Sequence, residues 1–107
     1  MNDPPQRWVL RLYVTGGSPR STWAIRNVNR ICEGALRGRV DLSVIDIYQQ
    51  PALAAEAQLV AAPTLVKELP PPRRRFIGTM EDERTLLAGL GVEPDPPGGG
   101  EKGGGPR

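Results

Sequence analysis

A chain of 107 residues has room for one domain with a modest core, because chains of this length bury only roughly two-thirds of the surface they expose when unfolded. The 14 Lys and Arg against 12 Asp and Glu leave a net charge of +2, too mild to imply nucleic-acid binding, and the absence of histidine removes the commonest general base and metal ligand. With a single cysteine besides, neither an internal disulfide nor a transition-metal site is expected, and a large multi-site enzyme is excluded by length.

No apolar run approaches the roughly 20 residues that span a bilayer, and "MNDPPQRW" has neither a basic n-region nor an apolar h-region, so the expected location is cytoplasmic with no membrane contact. The first element, β1, is read over residues 8–14. Trp8, Leu10, Leu12 and Val14 alternate with Val9, Arg11 and Tyr13, and Gly16-Gly17 ends the strand. Ser18 as N-cap and Pro19 at the first turn then open a helix, α1, that is expected to run to Gly38. Its inward face is Ala24, Val28, Ile31, Cys32 and Ala35, with Arg26, Asn27, Arg30 and Arg37 solvated. Cys32 on that face reads as a small, inert hydrophobe.

"VDLSVIDI", residues 40–47, is β-branched and nearly all apolar, which suits a strand, β2, covered on both faces as in a parallel sheet. "QPALAAEAQLVA", 50–61, reads as a short helix, α2, with Leu53, Ala57 and Val60 on one side. "TLVKEL" and "RRRFIG" are two strands, β3 over 64–68 and β4 over 74–77, joined by Pro70-Pro71-Pro72, since proline lacks the N–H a sheet ladder needs. A terminal helix, α3, is expected over 81–90, opened by Thr79 with Asp82 as a capping box and carrying Met80, Leu86, Leu87 and Leu90 inward. From Glu93 the chain is "EPDPPGGGEKGGGPR", with too few apolar side chains to offset the entropy of ordering it. The expected organisation is one domain over 1–92 and a flexible tail over 93–107.

The order β1-α1-β2-α2-β3-β4-α3, with right-handed crossovers covering both sheet faces, is that of an α/β, three-layer, thioredoxin-like domain. In that fold a redox pair occupies the turn between β1 and α1. Here the turn is "TGGSPRS", without cysteine, which rules out thiol–disulfide chemistry. The same turn lacks the lysine of a P-loop and the spacing of GxGxxG, so nucleotide binding is not expected either. Asp41, Asp46 and Glu56 show no pairing with a nucleophile.

"LRLYVTGGSPRS", "VDLSVIDIYQQPALAAEAQLVAAPTLVKELPPPRRRFIG" and "LLAGL" resemble the KaiB family of circadian clock proteins over about residues 7–90, and the PTL, LPPP and paired-arginine segments are the specific part. The resemblance implies a non-enzymatic binding protein without cofactor. KaiB-like proteins switch between a resting form, commonly tetrameric, and a monomeric thioredoxin-like form that binds the hexameric ATPase KaiC. Cyanobacterial members also capture KaiA and compete with a sensor histidine kinase carrying a similar domain. On this reading Lys67, Arg74 and Arg75 match the family's basic residues and are the expected partner contacts. Two packings of one chain need a segment compatible with both, and the expected switch residues are Pro63, Pro70, Pro71 and Pro72, acting through slow X-Pro isomerisation, with Gly89 and Gly91.

Gly91 stands where the family commonly has Asp, and the longer C-terminal extension is missing. The chain is therefore expected to populate the thioredoxin-like, substantially monomeric form more than typical members. Trp23 replaces a residue that is often basic in cyanobacterial members, which weighs against a KaiA-like partner. For Arg73, Arg74 and Arg75 two readings stand: a charged strand edge that discourages aggregation, or a patch for an acidic partner surface, with Arg73 and Arg75 on one face and Arg74 on the other. Three other functions stand beside the clock reading: a thioredoxin-fold adaptor or stress-response protein with no clock role, an enzyme on the same scaffold, and a nucleic-acid binder using "PPPRRR". The missing cysteine pair and histidines oppose the enzyme, and the lack of aromatic stacking partners near the basic run opposes the nucleic-acid binder.

Overall fold

The computed structural model describes residues 7–58 and 63–92. The alternation read in the first strand is realised in β1, Trp8–Val14, where Trp8, Leu10, Leu12 and Val14 are all buried on one face and Tyr13 on the other. This strand lies inside a four-stranded sheet of order β2-β1-β3-β4. β2, Val40–Asp46, runs parallel to it, with Trp8 opposite Val40 and Val14 opposite Asp46. β3, Thr64–Leu69, runs antiparallel on its other side, and β4, Arg74–Ile77, pairs antiparallel with β3.

Three layers follow from the two faces. α1, Pro19–Glu33, and α3, Glu83–Leu90, cover the Leu10 face, where Ala24, Val28, Ile31, Leu65, Leu86 and Leu90 complete the larger core. α2, Pro51–Glu56, covers the Tyr13 face with a smaller cluster of Tyr13, Ile45, Ala57 and Val66. Each fully buried leucine, such as Leu10 or Leu65, contributes about 1.5–3 kcal/mol relative to exposure. The indole N–H of Trp8 donates to the carbonyl of Leu90 at 2.8 Å, which fastens the C-terminal end of α3 to the first strand.

Several sequence expectations are corrected here. β2 is an edge strand whose cover on each face is only partial: Ile45 is its one buried residue, in the α2-side cluster, Val40 and Leu42 are half-buried against the α1-side core, and Ser43 and Val44 are exposed. Its apolar run reflects partial cover from α1, which reaches Val40 and Leu42. α1 stops at Glu33 rather than at Gly38, because Gly34 caps it by donating its N–H to the carbonyls of Arg30 and Ile31. The chain then turns, leaving Ala35 exposed and sending Leu36 into the core in its place. Cys32 is half-buried. Asn27, read as solvated, is buried, and its amide donates to the carbonyl of Thr79 at 2.7 Å.

That bond holds residue 79 as a loop partner of α1, and the helix cap moves on to Asp82, whose carboxylate accepts from the Thr85 N–H at 3.2 Å and hydroxyl at 2.8 Å. α3 therefore begins at Glu83, not at residue 81. It ends at Gly91, whose φ of 82° is the left-handed conformation that favours glycine at a helix stop. α2 covers only part of the expected span, with Leu53 half-buried and Ala57 buried; Val60 and the tail from residue 93 lie outside the described residues.

Candidate functional site

The turn from β1 into α1 is held by hydroxyl groups. Ser21 Oγ accepts from the Thr15 N–H at 3.0 Å, the hydroxyls of Thr15 and Ser18 lie 3.1 Å apart, and Ser18 Oγ accepts from the Ser21 N–H at 3.3 Å. Asp46, at the end of β2, accepts from the Gly16 N–H at 3.3 Å and the Tyr48 N–H at 2.9 Å. Asp46 thus ties the turn to the end of β2, while at the α1 N-terminus the Ser21 N–H is taken by the cap, Ser18 Oγ.

The basic residues of β3 and β4 are brought together but do different things. Lys67 and Arg74 are cross-strand partners on the Leu10 face, and Arg75 lies opposite Val66 on the other. Lys67, named above as a partner contact, is only 3% exposed. Burial and, second, the charge of Arg74 push its ammonium below the ordinary lysine range. Arg74 is exposed and lies over the Phe76 ring at 5.9 Å from the centroid. Arg75 turns to the α2 side, where its guanidinium donates to the carbonyls of Gln58, at 2.8 Å, and Ala57. It caps the end of that short helix in the manner of a cation at a C-terminus. Arg73, just before β4, pairs with Glu68 at 3.0 Å. Arg73 and Arg75 therefore share the α2 side and Arg74 stands apart, as the alternation requires.

Sequence reasoning passed over a polar recess of about 250 Å³ on that side, lined by Arg11, Tyr13, Glu56, Glu68 and Arg73. A hydrogen bond with Tyr13, then the charges of Glu68 and Glu56, raise the Arg11 pKa. The signal available in the sequence was an arginine midway along an otherwise apolar strand.

Of the residues named for a conformational change, Pro70, Pro71 and Pro72 form the connection between β3 and β4, and the Leu69–Pro70 and Pro71–Pro72 peptide bonds are cis. Pro63 is buried at the entry to β3; its bond to residue 62 lies outside the described residues. Gly89, named above as a switch residue, has a packing role: a Cβ there would fall 2.9 Å from Cζ of Phe76 and still closer to Cε2.

A four-stranded sheet of order β2-β1-β3-β4 with helices on both faces, a cysteine-free first turn and a basic cluster on its last two strands defines a protein of the thioredoxin-like fold. The KaiB domain family model matches residues 11–92. The chain belongs to the KaiB family of circadian clock proteins. It is 45% identical over 89 residues to the circadian clock protein KaiB3 of Synechocystis sp., covering 83% of this chain and 87% of that one. It is 43% identical over 90 residues to the circadian clock oscillator protein KaiB of Acaryochloris marina, covering 84% and 86%. The solution structure of the N-terminal domain of Synechococcus elongatus SasA superposes with a TM-score of 0.68 at 25% identity, covering 90% of this chain and 93% of that domain. Mitochondrial thioredoxin 3 of Saccharomyces cerevisiae, at 15% identity and a TM-score of 0.65, shares the fold, covering 81% and 79%.

Proposed function

We propose that this chain is a timing protein that binds a KaiC-type hexameric ATPase and modulates it without catalysis of its own. The observation that carries this reading is the KaiB family match across residues 11–92, the whole described sheet but for the first residues of β1. The chemistry of the chain is consistent with it, since the sequence supplies no histidine and its one cysteine lies far from the first turn. A regulator of an ATPase inside the cell works in the cytoplasm.

Arg74 is the residue positioned to meet acidic groups of the partner. Lys67 acts from beneath it by keeping the local potential positive, and Arg75 acts by holding α2 against β4. A change of packing in the C-terminal half is part of the proposal. β4 is only four residues long, Pro63 and Pro70–Pro72 bracket β3, and Gly89 and Gly91 shape the end of α3. A resting homo-tetramer in the alternative packing, and further partners of the KaiA or sensor-kinase kind, extend the proposal.

Co-elution of the purified chain with its cognate KaiC-like hexamer, in ATP and in ADP, tests it. A complex in at least one nucleotide state is expected, weakened by Arg74→Glu at an unchanged melting temperature. No complex in either state overturns the reading.

A further inference from the structure

On the α2 side of the sheet the apolar cluster is small: Tyr13, Ile45, Ala57 and Val66 are its buried members among the described residues. Next to Tyr13 along β1 on the same face stands Arg11, opposite Ser43 of β2 and Val66 of β3. Two recesses adjoin at this arginine. One is the polar recess of about 250 Å³ described above, and the other, of about 330 Å³, lies beside Ser43, Gln50 and Leu53.

Arg11 is half-buried, and Tyr13, only 1% exposed, is its hydrogen-bond partner. No carboxylate among the described residues is within ion-pair distance of Arg11, and Glu68 is taken by Arg73 at 3.0 Å. Glu56, the last residue of α2, lines the same recess, is exposed and likewise has no ion pair among the described residues. Its position is set by Arg75, which holds the carbonyls of Ala57 and Gln58 just beyond it. A cation on a central strand and an anion on a pinned helix end thus line one recess without pairing. A guanidinium takes a carboxylate through two parallel N–H groups, and a carboxylate takes an ammonium. A ligand that carries both groups bridges what the two side chains do not bridge directly. Recesses of this size lie at the low end of the roughly 300–1,000 Å³ of small-molecule sites, so the ligand is compact.

We infer that Arg11 and Glu56 form a binding site for a free α-amino acid, with the α-carboxylate on Arg11, the α-ammonium on Glu56, and the side chain in the recess beside Leu53. The Arg73–Glu68 pair walls the charged end and adds negative potential next to the ammonium. With two charged contacts and an open mouth, the affinity is in the millimolar range. The inference does not rest on the ATPase-binding reading, since Arg74, assigned there to the partner, is on the Leu10 face of the sheet.

Titration of the isotope-labelled full chain with L-leucine and with L-glutamine, followed through backbone amide shifts, tests the site. At least one of the two should give saturable shifts at residues 11, 43, 53, 56 and 68. The N-acetyl and the carboxamide derivatives of that amino acid, each lacking one charge, should bind about tenfold more weakly, the loss of one charge-assisted contact. Arg11→Met and Glu56→Gln should each weaken binding to the same degree, and in Glu56→Gln the N-acetyl derivative should bind as the free amino acid does, because the ammonium has no partner left. Absence of saturable shifts with both amino acids, derivatives that bind as tightly as the free amino acid, or unchanged binding by Glu56→Gln overturns the assignment.

Discussion

Replacing Gly89 by alanine sets two effects of known size against each other. Within a helix the change gains about 1 kcal/mol, because glycine loses more backbone freedom on folding and has the poorer intrinsic propensity. In this fold the new methyl would sit 2.9 Å from Cζ of Phe76 and nearer still to Cε2, whereas carbon atoms settle at about 3.5–4.0 Å. The ring must therefore retreat from a half-buried site against the core, and overpacking of this kind costs about 1–3 kcal/mol. The clash wins, leaving a net loss of about 1 kcal/mol and a melting temperature lower by about 4–8 °C for a domain of this size. Thermal unfolding followed by circular dichroism reads the shift. Phe76→Leu in the same background should recover much of the loss, giving a coupling of about 0.5–3 kcal/mol in the double-mutant cycle. A Gly89→Ala protein that melts at or above the parent, with additive effects at the two sites, would refute the packing of α3 on β4 described above.

Asn27→Ala leaves the carbonyl of Thr79 without its donor and should lower stability by about 1–3 kcal/mol in denaturant titration, with hydrogen exchange rising first in residues 78–82. Lys67 has a folded pKa below its unfolded value, so the unfolded chain binds more protons between the two. Stability should accordingly rise with pH across that alkaline window, up to the ordinary lysine value of 10.5, and Lys67→Met should flatten the rise. The Cys32 thiol is pushed up to about 11, chiefly by burial and then by Glu33. Alkylation by iodoacetamide in the native protein should be slow at neutral pH and accelerate only toward that value; fast labelling at pH 7 would contradict the burial.

How far the sequence led depends on which signals were local. β1, β3 and β4 were legible because alternation is a property of consecutive residues, and the prolines at 70–72 had nowhere to lie except between strands. The edge position of β2 was not legible, since an apolar run reads alike in a central strand and in an edge strand half-shielded by a helix. Helix ends slipped where competing caps were close: Gly34 stopped α1 before Gly38, and Asp82 displaced Thr79. Asn27 looked solvated because its partner lies 52 residues away. At the basic cluster the surroundings of each side chain were not legible. Burial of Lys67 and the grip of Arg75 on α2 arise only when β4 is in place, leaving Arg74 as the open cation.

The central claim is that this KaiB-family chain acts by binding an ATPase and altering its rate. The direct measurement is the steady-state ATP hydrolysis of the cognate KaiC-like hexamer, titrated with the purified protein from far below to well above one chain per ATPase subunit. The account predicts a saturable change in rate, with saturation near a fixed stoichiometry, and no hydrolysis by the protein alone. An ATPase rate that stays constant through the titration, or hydrolysis by the protein in the absence of the hexamer, would contradict it.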